Sequence, residues 1–147
     1  MRIKTLTVIF ALTIVLILSV SCEKAKEAVV QVTISGTITN NNQPVSGAIV
    51  LLLNESKVDS GFPIDNGSIS GSDGKYTIIR VEDGTYYIAA IKDENGNKTY
   101  DLGVDPIGWY GHPDILTGIT IPDPVEVSGN DVIGIDIDTM YTEQSNF

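Results

Sequence analysis

Short runs of alternating apolar and polar residues, separated by turn-forming residues, fill the chain from Val29 onward. In the run 132–138, Ile133, Ile135 and Ile137 alternate with glycine or aspartate, which predicts a strand with these three side chains facing inward. Asn, Asp, Gly and Pro fall between the runs, where turns need them. About seven such runs at roughly ten-residue spacing predict an all-β fold, a single antiparallel Greek-key β-sandwich.

Composition excludes several classes of site. The 147 residues include one Cys and one His, so neither an internal disulfide nor a Cys-rich or multi-His metal centre can form. Nine Lys and Arg against 19 Asp and Glu give a net charge of −10. This balance argues against nucleic acid as a partner, because the phosphate backbone is bound by cations. The length suits one domain.

The N-terminal segment has the layout of a secretory signal peptide. Arg2 and Lys4 precede an uncharged, mostly apolar run from Leu6 to Val20, and small residues follow before Cys22. The apolar run is short for a membrane span, which needs about 20 residues. Two interpretations do not involve lipid: an ordinary secretory signal in which Cys22 stands by chance, or an uncleaved anchor helix.

The position of Cys22, directly after Ser21, resembles the lipobox of bacterial lipoproteins, although Ser19 stands where that motif usually has Leu. The resemblance implies that Cys22 carries a diacylglycerol and a further acyl chain such as palmitate, and becomes the first mature residue. Glu23 is not the Asp that retains many Gram-negative lipoproteins at the inner membrane, so the outer membrane is expected. Cleavage removes two cations, which takes the net charge from −10 to −12.

The predicted organisation has three parts. Residues 1–21 form the lipoprotein signal peptide, residues 22–28 the lipidated Cys and a short tether, and residues 29–147 the β-sandwich domain.

Three segments of the domain share a family pattern. Residues 34–52 contain Ile-Ser-Gly-Thr-Ile and Pro-Val-Ser-Gly-Ala, residues 70–78 contain Ser-Asp-Gly-Lys-Tyr, and residues 81–90 contain Asp-Gly-Thr-Tyr-Tyr. Together they resemble the carboxypeptidase regulatory-like domain, a transthyretin-like (prealbumin-like) sandwich related to carbohydrate-binding-like folds. These motifs shape turns and strands, so the resemblance implies a fold and an accessory role, and it assigns no catalytic residue.

One loop is a candidate calcium site. Asp93, Asn95 and Asn97 offer hard oxygen ligands within five residues, as calcium prefers. The loop lacks the complete pattern of an EF-hand. A tight hairpin at Asn95–Gly96 would explain the same composition, because type I′ turns favour Asn-Gly.

A second candidate site lies in residues 100–113, which we expect to be irregular. Trp109 and Tyr110 could stack on sugar rings, and His112, near several Asp residues, could bind a ligand or serve as an acid–base group. The alternatives are that Trp109 caps one end of the core and that His112 is an exposed loop residue.

These observations favour a non-enzymatic, lipid-anchored cell-envelope protein with a structural, adhesive or accessory binding role. The alternatives are a carbohydrate-binding module that uses Trp109 and Tyr110 and, more remotely, a hydrolase that uses His112. We expect the membrane to be contacted through the lipid and the partner to be an envelope protein or a glycan. No cofactor is expected, with calcium as the single candidate.

Overall fold

The alternating runs pair into β-strands in the computed structural model, which describes residues 31–142. The predicted signal peptide, Cys22 and the tether lie outside this range. The strands are β1 Val32–Thr37, β2 Thr39–Asn40, β3 Gln43–Pro44, β4 Ile49–Leu53, β5 Ser68–Ile69, β6 Lys75–Val81, β7 Gly84–Ile91, β8 Ile107–Trp109, β9 Gly111–Pro113, β10 Thr120–Pro122, β11 Val125–Val127 and β12 Val132–Ile133.

Two main sheets are formed. In the first, β1 lies between β6, which is antiparallel to it, and β12, which is parallel. In the second, β7 pairs with β4 on one side and with β8 and β11 on the other, and β5 lies beyond β4. The predicted all-β sandwich is therefore confirmed, with one parallel pair among antiparallel ones.

The main core lies between the two sheets, where alternate residues of each sheet meet. Ile34 of β1 and Ile88 of β7 are fully buried there. Burial of one such side chain stabilises the fold by about 1.5–3 kcal/mol. The core residues are Val32, Ile34, Ile38, Ala48, Val50, Tyr76, Val81, Ile88, Ala90, Val125, Val127, Ile135, Ile137 and Met140.

A second core covers the other face of the second sheet. Segment 54–67 crosses this face, and the amide of Tyr100 donates to the carbonyl of Phe62 at 2.9 Å. Strands β4 and β7 are therefore covered on both faces. Residues 48–53 form a continuous apolar run, which predicts a buried strand of this kind, and β4 lies within it. The residues of this second core are Leu51, Ile64, Ala89, Ile91, Tyr100, Ile107 and Trp109.

The segment around β12 corrects one prediction. Ile135 and Ile137 are buried as expected, but Ile133 is 79% exposed. Gly134, between Ile133 and Ile135, has φ +77°, a left-handed conformation that glycine adopts readily. This residue interrupts the two-residue alternation, so Ile133 faces solvent although its spacing is correct.

The loop between β7 and β8 corrects a second prediction. Gly96 has φ +74°, but Asn95 does not have positive φ, so the pair does not form a type I′ turn. Strands β7 and β8 instead pair across the longer loop 92–106. Residues 100–113 are also more regular than predicted, because they contain β8 and β9.

Candidate functional site

The candidate calcium loop is held together by its own side chains. Asp93 accepts hydrogen bonds from the amides of Gly96 at 2.7 Å and Lys98 at 2.9 Å. Asn95 accepts from the amide of Asn97 at 3.0 Å. Short polar side chains that bond to nearby amides are a common way to build a turn. The oxygen-rich composition therefore serves the conformation of the loop.

Two further carboxylates of this region, those of Asp101 and Asp105, accept hydrogen bonds from the loop itself. Both Asn95 and Asn97 donate side-chain amide protons to Asp101 Oδ2, at 2.8 and 2.7 Å. Asp105 is fully buried and accepts from the amides of Glu94 at 3.0 Å and Asp101 at 2.8 Å. Asp105 therefore joins the two ends of the loop.

Burial raises the pKa of the Tyr100 phenol, which packs in the second core, and the negative charge of Asp105 raises it further. Across residues 31–142, no group of three or more His, Cys, Asp or Glu side chains is placed to hold a metal ion. Calcium at Asp93, Asn95 and Asn97 stays an untested alternative to a loop that its own hydrogen bonds hold.

Trp109 is not an exposed platform. It lies on β8, is 3% exposed and packs in the second core. Its ring therefore has no free face on which a sugar could stack, which corrects the expectation of an aromatic surface at this residue. The indole Nε1 has no hydrogen-bond partner in the described part of the protein. The alternative of a buried, packing Trp109 matches this position.

Tyr110 and His112 diverge from Trp109. Tyr110 is partly buried against the main core, on the other side of the sheet from Trp109. His112 lies on β9, which pairs with β10. Because neighbouring residues of a strand point to opposite faces, the structure does not bring the three predicted ligand-binding side chains together.

His112 forms an exposed pair with a carboxylate. Its Nδ1 donates to Asp123, 2.9 and 3.0 Å from the two carboxylate oxygens, because an ionised carboxylate can only accept. The side chains are 59% and 40% exposed. Such a pair orients the imidazole, but the pair lies on an open hairpin, where water screens both groups.

Residues 111–122, which we term the arm, form a hairpin that leaves the edge of the second sheet. Its turn, residues 114–118, is termed the tip. Ile115 and Leu116 occupy the tip and are 98% and 93% exposed. The apolar residues of 115–121 predict a short strand, but residues 115–118 belong to the turn and β10 begins only at Thr120. The signal for this turn was an Asp before the apolar pair and Thr117-Gly118 after it, a turn composition.

Two shallow grooves open on the described surface. One crosses the first sheet and is lined mainly by hydroxyl, glycine and charged residues: Ser35, Gly36, Thr37, Lys75, Tyr76, Thr77, Gly134 and Asp136. The other lies beside Lys92, whose ammonium donates to the carbonyl of Ser46 at 2.9 Å. Neither groove contains His112 or Trp109.

Within residues 31–142, no helix has the length and apolar character that a membrane span requires.

No protein-family model matches the chain, and no curated protein matches it significantly. Among solved structures, the chain is similar to the crystal structure of a DUF3823 family protein from Parabacteroides merdae, with 14% identity and a TM-score of 0.38. The match covers 75% of this chain and 46% of that chain, so it spans less than half of that protein's length. A likeness of this size carries no argument about function, and the resemblance to the carboxypeptidase regulatory-like domain stays a prediction.

Proposed function

We propose that this chain is a non-enzymatic module of the cell envelope, anchored by acyl chains on Cys22, with a structural or accessory binding role. The non-enzymatic part is supported by one observation: the side chains that could do chemistry have structural roles. Asp93 and Asp105 hold a loop, and Trp109 packs in a core. Asn95 and Asn97 are exposed but donate to Asp101. His112 is also exposed and is paired with Asp123.

Within residues 31–142, the His112 ring has Asp123 as its hydrogen-bond partner, and no hydroxyl, thiol or backbone amide bonds to it. Acid–base catalysis in a hydrolase needs a nucleophile or a bound water, and donors for the developing oxyanion, around the imidazole. The hydrogen bonds of the neighbouring Asp114 are made to its own turn, at Leu116 and Thr117. The pair is therefore best explained as a contact that orients the base of the arm.

The anchoring part of the proposal depends on Cys22 and the segment before it. A chain with two or three acyl groups stays on a membrane, because each buried CH₂ contributes about 0.8 kcal/mol. The acidic domain, with a net charge of −12 after cleavage at Cys22, would remain soluble beside the bilayer. We place the protein at the outer membrane of a Gram-negative bacterium, with an envelope protein or a glycan as its partner.

Mass spectrometry of the N-terminal peptide tests the anchor. The full chain is expressed in a Gram-negative host beside Cys22→Ser, with a fatty-acid probe in the medium. We expect the mature chain to begin at Cys22 with acyl groups attached, and no label on the variant. Cleavage without lipid would mean an ordinary secretory signal, and an intact N-terminus would mean an anchor helix.

A substrate panel tests the non-enzymatic part. The folded chain is assayed against ester, peptide, phosphoester and glycoside substrates, beside His112→Ala. We expect no turnover above the uncatalysed rate. Turnover that His112→Ala abolishes while the protein remains folded would show a hydrolase.

A further inference from the structure

The tip of the arm presents two apolar side chains to solvent. Ile115 and Leu116 are adjacent in sequence and are the two most exposed large apolar residues in the range 31–142. Single exposed apolar residues are common on soluble proteins. A neighbouring pair that is almost completely exposed at the end of a projecting hairpin is a contact surface of a defined shape.

Most backbone amides of the tip, and the carbonyls of its first and last residues, have partners within the protein. The Asp114 carboxylate accepts from the amides of Leu116 at 2.9 Å and Thr117 at 2.8 Å. The amide of Gly118 donates to the carbonyl of Asp114 at 2.9 Å, and the hydroxyl of Tyr141 donates to the carbonyl of Gly118 at 2.9 Å. Backbone groups without partners are costly outside water, so this turn suits the headgroup region, where the carbonyls of residues 115–117 and the Asp114 carboxylate stay hydrated.

Those hydrogen bonds also define the electrostatic state of the turn. Bonds from the amides of Thr117 and Leu116 lower the pKa of the Asp114 carboxyl. The carboxylate therefore stays ionised and bonded at neutral pH, and it holds Ile115 and Leu116 outward. The tip is preorganised, so binding needs little further ordering.

We propose that the tip inserts Ile115 and Leu116 into the surface of a zwitterionic lipid bilayer. This inference rests on the proposed anchor at Cys22. Nine residues, 23–31, separate that Cys from β1 and can span at most about 30 Å. That bound is close to the length of β7, whose eight residues extend about 26 Å. The tip lies near the end of β1 that is remote from the tether, since Met140 bonds to Asn40 and Tyr141 bonds to Gly118. A nearly extended tether is therefore long enough for the tip to touch the bilayer.

The negative charge of the C-terminal part of the chain favours an uncharged lipid surface over an anionic one. From Thr99 to Phe147 the sequence contains nine acidic residues and no Lys or Arg. Anionic headgroups would repel this part of the chain, and a second copy of the domain would repel it as well. A neutral bilayer accepts the two side chains without that repulsion. A partner protein with an apolar pocket is the alternative occupant, and it does not need the tether.

Fluorescence from a labelled tip tests the inference. The acylated full chain carrying Leu116→Cys is labelled with an environment-sensitive dye and reconstituted into phosphatidylcholine vesicles. The matched control is Ile69→Cys, because Ile69 is 68% exposed on β5, away from the arm in sequence. We expect a blue shift and quenching by brominated lipid at position 116, and neither at position 69.

Two further samples exclude an effect of the dye alone. Adding Ile115→Ser to the labelled chain, or replacing part of the lipid with anionic phosphatidylglycerol, should reverse the blue shift. An acylated chain whose label at 116 remains in water would overturn the inference and leave the proposed anchor standing; a crosslink from 116 to a protein would then identify the other occupant. A chain without acyl groups would overturn both.

Discussion

The hydroxyl of Tyr76 donates a 2.6 Å hydrogen bond to the backbone carbonyl of Ile135, and so joins β6 to the last part of the chain. Both residues are buried in the main core. The sequence positions are 59 residues apart, so the bond forms only when the sandwich closes. It is one of few polar contacts inside a largely apolar interior.

Tyr76 should therefore make stability sensitive to high pH. Burial raises the pKa of Tyr76, and the nearby charge of Asp136 adds to this effect. An unfolded tyrosine loses its proton near pH 10, whereas folded Tyr76 keeps it. The contribution is fully present below about pH 10, and the free energy of unfolding falls as pH rises further.

Urea unfolding of Tyr76→Phe from pH 7 to 11 checks this. We expect a loss of about 0.5–1.5 kcal/mol at pH 7, from the missing hydrogen bond, and a smaller fall in stability above pH 10 than in the wild type. Tyr141→Phe, which removes an exposed hydroxyl, is the control. Identical alkaline losses in wild type and Tyr76→Phe would contradict the prediction.

Asp105→Asn should destabilise the domain by about 1–3 kcal/mol, because one carboxylate oxygen that accepts a backbone amide is replaced by a donor in a buried place. The two amides concerned belong to Glu94 and Asp101. Equilibrium unfolding in urea gives the value. Asp65→Asn, at an exposed position, is the matched control, and an equal loss in both variants would argue against a special role for Asp105.

Trp109 is the only tryptophan of the chain, so its fluorescence reports its environment directly. Because it packs in the second core, acrylamide should quench the native protein much less than the urea-unfolded protein. Trp109→Ala should cost about 3–5 kcal/mol. Equal quenching of the native and unfolded protein would mean that the ring is exposed, and it would restore the expectation of a sugar platform.

Calcium should leave the melting temperature unchanged, because the oxygens of loop 93–105 already accept hydrogen bonds. Melting curves in chelator and in roughly millimolar calcium, the range of extracellular modules, test this. Asp93→Asn should lower stability by about 1 kcal/mol in both solutions. A calcium-dependent rise in the wild type that disappears in Asp93→Asn would make the loop a calcium site.

Gly36→Ala should cost about 1–3 kcal/mol by overpacking. A Cβ at Gly36 would collide with the backbone of Ile135, which cannot move without opening the first sheet. Gly71→Ala is the control, because its Cβ would meet its nearest neighbour, Asp73, at 3.2 Å. Thermal unfolding of the two variants compares them, and similar melting temperatures would show that the first sheet can open at little cost.

The sequence pattern predicted burial correctly at some residues and not at others. The apolar run at 48–53 correctly predicted a buried strand, because a strand that is covered on both faces has no polar alternation. Alternation could not show that Gly134 would interrupt the pattern after Ile133. Nor could it show that Trp109 lies under segment 54–67, since that contact joins residues far apart in sequence.

The sequence by itself determined the all-β class and the positions of most turns, because alternation and turn chemistry act over a few residues. Its prediction of a lipid anchor at Cys22 awaits the labelling experiment. Only the tertiary structure decided which side chains are exposed and able to contact a ligand or partner. It buried Trp109, used Asp105 to close a loop, and left Ile115 and Leu116 exposed on the arm. The physical reason is that exposure depends on which distant segment covers a residue, and local patterns do not contain that information.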